Sequence, residues 1–176
     1  QDSRILECTL SLAAEMLYLS GLADSFDSAY QQAQQALQSR QAAEVFQRMV
    51  SAHGGPARLI EVPDQYLASA PVQYPLYLEH SAYVESIDTR AIGQLLVNMG
   101  GGRIRVDQKI DYSVGLSEMA SVGSQVGPDQ ALAIIHAQDT ERAKAYGEQL
   151  LDSIQLTEDK CAARTTIVAE HHSGKA

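Results

Sequence analysis

The sequence predicts an α+β chain in two parts: a helical stretch over about residues 1–56, then a mixed strand-and-helix domain over 57–176. Three observations carry this reading. Apolar residues recur at helical spacing through the first fifty positions. The cluster His53-Gly54-Gly55-Pro56 then stops the pattern, placing a boundary near residues 54–60. Beyond it, short β-rich runs are interleaved with two helical patterns. With 176 residues, 45% hydrophobic and 20% charged, the chain has enough material for one ordinary domain or two small ones, and is not a disordered polymer.

The first helix is expected over Ile5, Leu6, Leu10, Leu12, Ala13, Ala14, Met16, Leu17 and Leu19, with Gly21 placed to end it. It is apolar on nearly every side, and such a helix needs neighbours all round, which hints at packing partners outside the chain. A second helix is expected from Ser25 to Gln38, capped by Asp24 or Ser25, with Phe26, Ala29, Tyr30, Ala33 and Leu37 on its inner face. The glutamines between Gln31 and Gln41 read as a solvated helix face. A third helix, Gln41 to Ala52, carries Ala42, Val45, Phe46, Met49 and Val50. Strands are expected at Gln73–Glu79, Ala82–Ile87, Lys109–Val114 and Ala131–Ala137, with a weaker run at Thr165–Ala169. Helices are expected at Thr89–Met99 and Thr140–Ile154, and the tail from Glu170 reads as frayed. No repeat of solenoid period is present.

Thirteen Lys and Arg against 22 Asp and Glu give a net charge of −9. A chain this acidic repels phosphate backbones and anionic headgroups, so neither nucleic acid nor a membrane surface is an expected partner. Cys8 and Cys161 form no framework, which suits a reducing, cytoplasmic setting. The longest apolar-rich stretch, Ile5 to Leu22, is broken by Glu7, Ser11 and Glu15, and no stretch reaches the ~20 residues that span a bilayer. Asn98 is the only asparagine and forms no sequon. A start at Gln1 rather than Met suggests processing, or a piece of something longer.

Candidate chemistry is sparse. Gly100-Gly101-Gly102-Arg103 follows a helix, whereas a phosphate cradle precedes one, so its expected job is to end the helix and release a strand. Arg103 and Arg105 are expected to pair with carboxylates rather than hold an anion. Asp88 is well placed as an N-cap, with Thr89 and Arg90 in the first turn behind it. None of His53, His80, His136, His171 and His172 has the spacing of a zinc ligand, and His136 reads as a packed, hydrogen-bonded imidazole. Ser124 in Gly123-Ser-Gln-Val-Gly127 does not fit the nucleophile elbow, and Asp111 and Glu118 do not read as an acid/base pair. The residues alone therefore offer no catalytic set, no cofactor site and no metal site.

Ordered segments nevertheless carry a resemblance. Ala42-Ala-Glu-Val-Phe-Gln-Arg-Met-Val50 is followed by Gly55-Pro56. Asp88-Thr-Arg-Ala-Ile-Gly93 is followed by Met99-Gly-Gly-Gly-Arg103. Ile110-Asp-Tyr-Ser-Val-Gly115 leads to Val122-Gly-Ser-Gln-Val126 and Leu132-Ala-Ile-Ile-His-Ala137, and Leu12-Ala-Ala-Glu-Met-Leu17 fits the same order. Together they resemble the C-terminal part of the pyrimidine nucleoside phosphorylases over about residues 1–150, with Asp-Tyr-Ser-Val-Gly closest to the bacterial thymidine-cleaving branch. The resemblance implies helices from the end of a large α/β domain over 1–56 and a C-terminal α/β-hammerhead-like domain over 57–176. It implies a cytoplasmic, homodimeric parent that converts thymidine and phosphate to thymine and 2-deoxyribose 1-phosphate in a cleft between lobes. The family's phosphate loop, Lys-His-Ser-Thr-Gly-Gly-Val-Gly-Asp, has no counterpart here, and neither do its pyrimidine-gripping Arg, Ser and Lys. Thymidine and phosphate are thus expected to bind the missing N-terminal part of the parent, and this chain alone is expected to be inactive. Asp88, Thr89 and Arg90 are expected to help fix lobe closure without touching substrate.

Two other classes compete. Val122 to His136 is similar to the hammerhead strands of biotinyl and lipoyl carriers, but Lys109, Lys144, Lys160 and Lys175 do not follow Met as a modified lysine usually does. A free-standing interaction domain would bind partners tightly with no need for an N-terminal half.

Overall fold

The fold is taken from a computed structural model, which describes residues 3–162. Internal contacts divide the chain after Tyr66 into two units.

The first unit is three helices: α1 (Ser3–Leu19), α2 (Phe26–Gln38) and α3 (Gln41–Ala52), with a single 3-10 turn at Pro63–Gln65. Ser25 caps α2, its hydroxyl accepting from the Ser28 N–H at 3.2 Å. Ala14, Ala23 and Ala29 form a small buried cluster with Leu17, Tyr18, Phe26 and Tyr30 around it. The segment at the expected boundary, 54–60, is itself held to α3. The Gln47 amide donates to the Pro56 carbonyl at 2.8 Å, and its Oε1 accepts from the Ile60 N–H at 3.1 Å.

The second unit holds two antiparallel three-stranded sheets and two helices, over β1 (Val72–Leu76), β2 (Ala82–Ile87), α4 (Thr89–Asn98), β3 (Gly115–Ser117), β4 (Gln125–Val126), β5 (Ala133–Ala137), α5 (Thr140–Asp152) and β6 (Ile154–Thr157). One sheet runs β1-β5-β3, with Val72 opposite Ala137 and Gly115 opposite His136. The other runs β4-β2-β6, with Ala82 opposite Val126 and Ile87 opposite Ile154. Pro75 lies in β1, at the edge of its sheet, where its missing N–H is tolerated. The core joins Leu76, Val84, Leu95, Val126, Leu132, Ile135 and Leu150. Gly147 lets α5 approach the sheet: a Cβ there would come within 3.2 Å of Leu76 Cδ1 and 3.3 Å of Ile135 Cδ1.

The α+β class, the helical start and five of the expected elements in the second unit are present. Lys109–Val114 is not a strand. The Asp111 carboxylate accepts from the backbone N–H of Ser113 at 2.9 Å and from its hydroxyl at 2.6 Å, a turn that takes the segment out of any ladder. The strand begins at Gly115 instead. The last helix stops at Asp152 rather than Ile154, because Ile154 and Leu156 join β6 against β2. Thr165–Ala169, the tail from Glu170, Lys175 and the pair His171-His172 lie outside the described residues.

Candidate functional site

Helix α4 begins where the sequence places it. Asp88 Oδ1 accepts from the N–H groups of Arg90 and Ala91, both at 3.0 Å, and the Asp88 N–H donates to the Ser153 carbonyl at 2.9 Å. The cap is thereby tied to the end of α5. Asp88, Thr89 and Arg90 are all exposed.

At the other end, the glycine run terminates the helix. Gly100 adopts φ +96°, and the N–H groups of Gly100 and Gly101 donate to the Val97 and Leu96 carbonyls at 3.0 and 2.9 Å. Those donors are consumed by the helix end and do not face an anion. The run releases a loop rather than a strand, and the loop returns through the Asp111 N–H, which donates to the Gly100 carbonyl at 2.8 Å. Arg105 makes a two-pronged ion pair with Asp107, at 2.9 and 3.1 Å, as expected for an arginine on an acidic chain.

His136 is half-buried on β5, with its Nε2 2.7 Å from the Ser117 hydroxyl on β3. The pair bridges two strands, and the packed reading of His136 holds. Asp111 also accepts from the Gln138 amide, just beyond β5. These donors, Ser113 first, hold the Asp111 carboxyl below its ordinary value. Neither the Ser117–His136 nor the Asp111–Gln138 contact was legible beforehand, because 19 and 27 residues separate the partners.

A cavity of about 580 Å³ lies against this sheet, with Pro75, Tyr77, Met119 and Ile134 in its wall and the carboxylates of Glu118 and Asp129 in its lining. Glu118 sits just past β3 at φ +51°, a conformation non-glycine residues seldom adopt. The sequence carried no signal for this cavity, since its wall is gathered from three separated segments. In the first unit, a groove of about 530 Å³ runs between α1 and α2, lined by Leu10, Ala13, Leu17, Ala33 and Ala36. Among the described residues, no group of three or more His, Cys, Asp or Glu is placed to hold a metal ion, and no helix is long and apolar enough to cross a membrane.

Residues 83–157, from β2 to β6 of the two-sheet unit, match the family model of the pyrimidine nucleoside phosphorylase C-terminal domain. The wider resemblance is to one member of that class. The chain is 39% identical over 168 residues to the thymidine phosphorylase of Mesorhizobium japonicum. The match takes in 96% of this chain and 38% of the relative's length, which fits a C-terminal portion.

Proposed function

We propose that this chain is the C-terminal portion of a thymidine phosphorylase, a pentosyltransferase that converts thymidine and phosphate to thymine and 2-deoxyribose 1-phosphate. One observation carries the reading. The 39% identity extends over 168 residues, well beyond the domain match at 83–157, so it includes the helical unit as well as the two-sheet domain. A carrier or a free-standing module would not require both. The turn between β4 and β5, where a carrier would present its lysine, reads Gly127-Pro-Asp-Gln-Ala-Leu132 and contains none.

In this reading phosphate and thymidine are held by the preceding part of a cytoplasmic, homodimeric parent. Phosphorolysis needs donors aimed at phosphate and a group that stabilises the departing pyrimidine anion. This chain has no phosphate loop, and the N–H groups of Gly100 and Gly101 are already engaged. It contributes the C-terminal lobe, and Arg90, exposed in the first turn of α4, helps fix closure.

The test is thymine release from thymidine and phosphate. The chain alone should give none at high concentration. A chimera in which it replaces the matched 38% of the Mesorhizobium enzyme should turn over, and Arg90→Ala in that chimera should slow it. A chimera that folds without cleaving thymidine overturns the parent reading. Activity that co-purifies with the chain alone overturns its expected inactivity.

A further inference from the structure

We propose that the cavity on the β1-β5-β3 sheet is a binding site for a linear aliphatic diamine, an organic cation with an ammonium group at each end. Three segments converge on it: Tyr77 follows β1, Glu118 follows β3, and Asp129 and Gln130 lie in the turn between β4 and β5. All four side chains are polar, and among the described residues none has a hydrogen-bond or ion-pair partner. At about 580 Å³ the cavity falls in the range that holds small molecules, about 300–1,000 Å³.

The lining selects the sign of charge. An ionised carboxylate only accepts hydrogen bonds, and a positively charged donor makes the stronger ones. The chain supplies no such donor nearby. Residues 59–89 and 110–141, from which the whole lining is drawn, contain none of its 13 Lys and Arg. An anion would face two carboxylates with no cation beside them. The wall selects the body of the ligand. Pro75, Met119 and Ile134 are apolar, and the Tyr77 ring is half exposed, at 51%. The methylenes of an alkyl diamine lose water against such a wall, and an ammonium is attracted to an aromatic face. A hydrated metal ion gains little from either. Glu118 and Asp129 come from separate segments and match two ammonium ends. Both ends are charged at neutral pH, since an alkyl amine of the lysine type ionises near about pH 10. One exposed ion pair is weak, so joining both ends in one molecule is what makes the affinity measurable.

The probe is 1,4-diaminobutane, titrated into the 176-residue chain at low ionic strength and followed by calorimetry and amide chemical shifts. Saturable one-to-one binding is expected, with the shifts centred on Tyr77, Glu118, Asp129 and Gln130. Butylamine, with the same body and one charge, should bind roughly tenfold more weakly. Glu118→Gln and Asp129→Asn should each weaken the diamine by a similar factor. Glu148→Gln, exposed on α5, changes the net charge equally and should leave binding as it is. Circular dichroism checks that Glu118→Gln folds, and Asp129→Asn, in an exposed turn, decides if it does not. No saturable binding, or shifts centred elsewhere, overturns the proposal. Equal weakening by Glu148→Gln means only general attraction to an acidic chain, and equal affinity for butylamine removes the two-ended fit; either overturns it. Displacement of the diamine by magnesium at matched ionic strength assigns the carboxylates to a metal ion instead. The same ammonium chemistry could come from a lysine of a second copy. Self-association in sedimentation that Asp129→Asn abolishes and the diamine does not reverse assigns the cavity to that lysine, and also overturns the proposal.

Discussion

The two units are built from similar local signals and bury very different things. Both have helices with side-chain caps, Ser25 in one and Asp88 and Asp139 in the other. Among the described residues, the helical unit buries Leu10, Ala14, Ala23 and Ala29, three of them alanines. The two-sheet unit fully buries Val84, Val126, Leu132, Ile135 and Leu150. Burying a Leu, Val or Ile is worth about 1.5–3 kcal/mol, and an alanine far less. In the helical unit that apolar material lies outside: Ile5, Leu12, Met16, Leu19, Leu22, Phe46 and Met49 are exposed. Propensity and caps are enough to specify helices, but a core needs large side chains turned toward one another.

The sharpest way to break this contrast is to truncate one leucine in each unit. Leu150→Ala should lower the unfolding free energy of the two-sheet unit by about 2–5 kcal/mol, through lost burial and the cavity left behind. Leu12→Ala, at 63% exposure in the isolated chain, should stay within about 0.5 kcal/mol. Guanidinium denaturation followed by circular dichroism reads both, and equal costs would erase the distinction. Next in size, native-state exchange should find the β5 amides, Ala133–Ala137, slower than those of Leu10–Leu17 by roughly tenfold or more. Parity would mean that the helices have a core of their own.

The caps sharpen the comparison further. Asp88→Ala should cost about 1 kcal/mol through the lost side-chain cap of α4, read as a shift of the cooperative transition, because the backbone N–H of residue 88, which alanine keeps, still ties α4 to the end of α5. Ser25→Ala should cost a similar or smaller amount, about 0.5–1 kcal/mol, and be read as local loss of helicity in α2. The smallest effect concerns pH. Donors from Ser113 and Gln138 favour the charged form of Asp111, so its carboxyl lies lower in the folded state than in the unfolded one. The stabilisation is therefore fully present above the usual Asp range, about pH 4, and is lost as pH falls through the lower folded value. Asp111→Asn should lower the unfolding midpoint of the two-sheet unit near pH 7, where the wild type keeps this stabilisation, and the difference should shrink as pH falls through the folded value.

What could be read in advance follows the range of each signal. Helices declare themselves through many residues in series, so α1 to α5 were legible from apolar spacing, and Asp88 and Gly100 from their positions at helix ends. Strands β3 and β4, of three and two residues, are too short for alternation to register. Lys109–Val114 alternates like a strand, but a single carboxylate, Asp111, captures its backbone into a turn. Of the candidate site, the helix-ending role of the glycine run was readable because a glycine run after a helix has different donors from one before it. The Ser117–His136 bridge and the cavity behind Tyr77 depend on strand register, which no local pattern encodes.

Pro75 has a further consequence. The outer edge of β1 is the kind of surface on which a strand from another molecule can add, extending the sheet and starting an aggregate. A proline there interrupts the row of donors that such a strand would read, and its fixed ring resists the flat geometry that stacking prefers. The same residue that shortens the hydrogen-bond supply of β1 thus protects the domain's solubility at its edge.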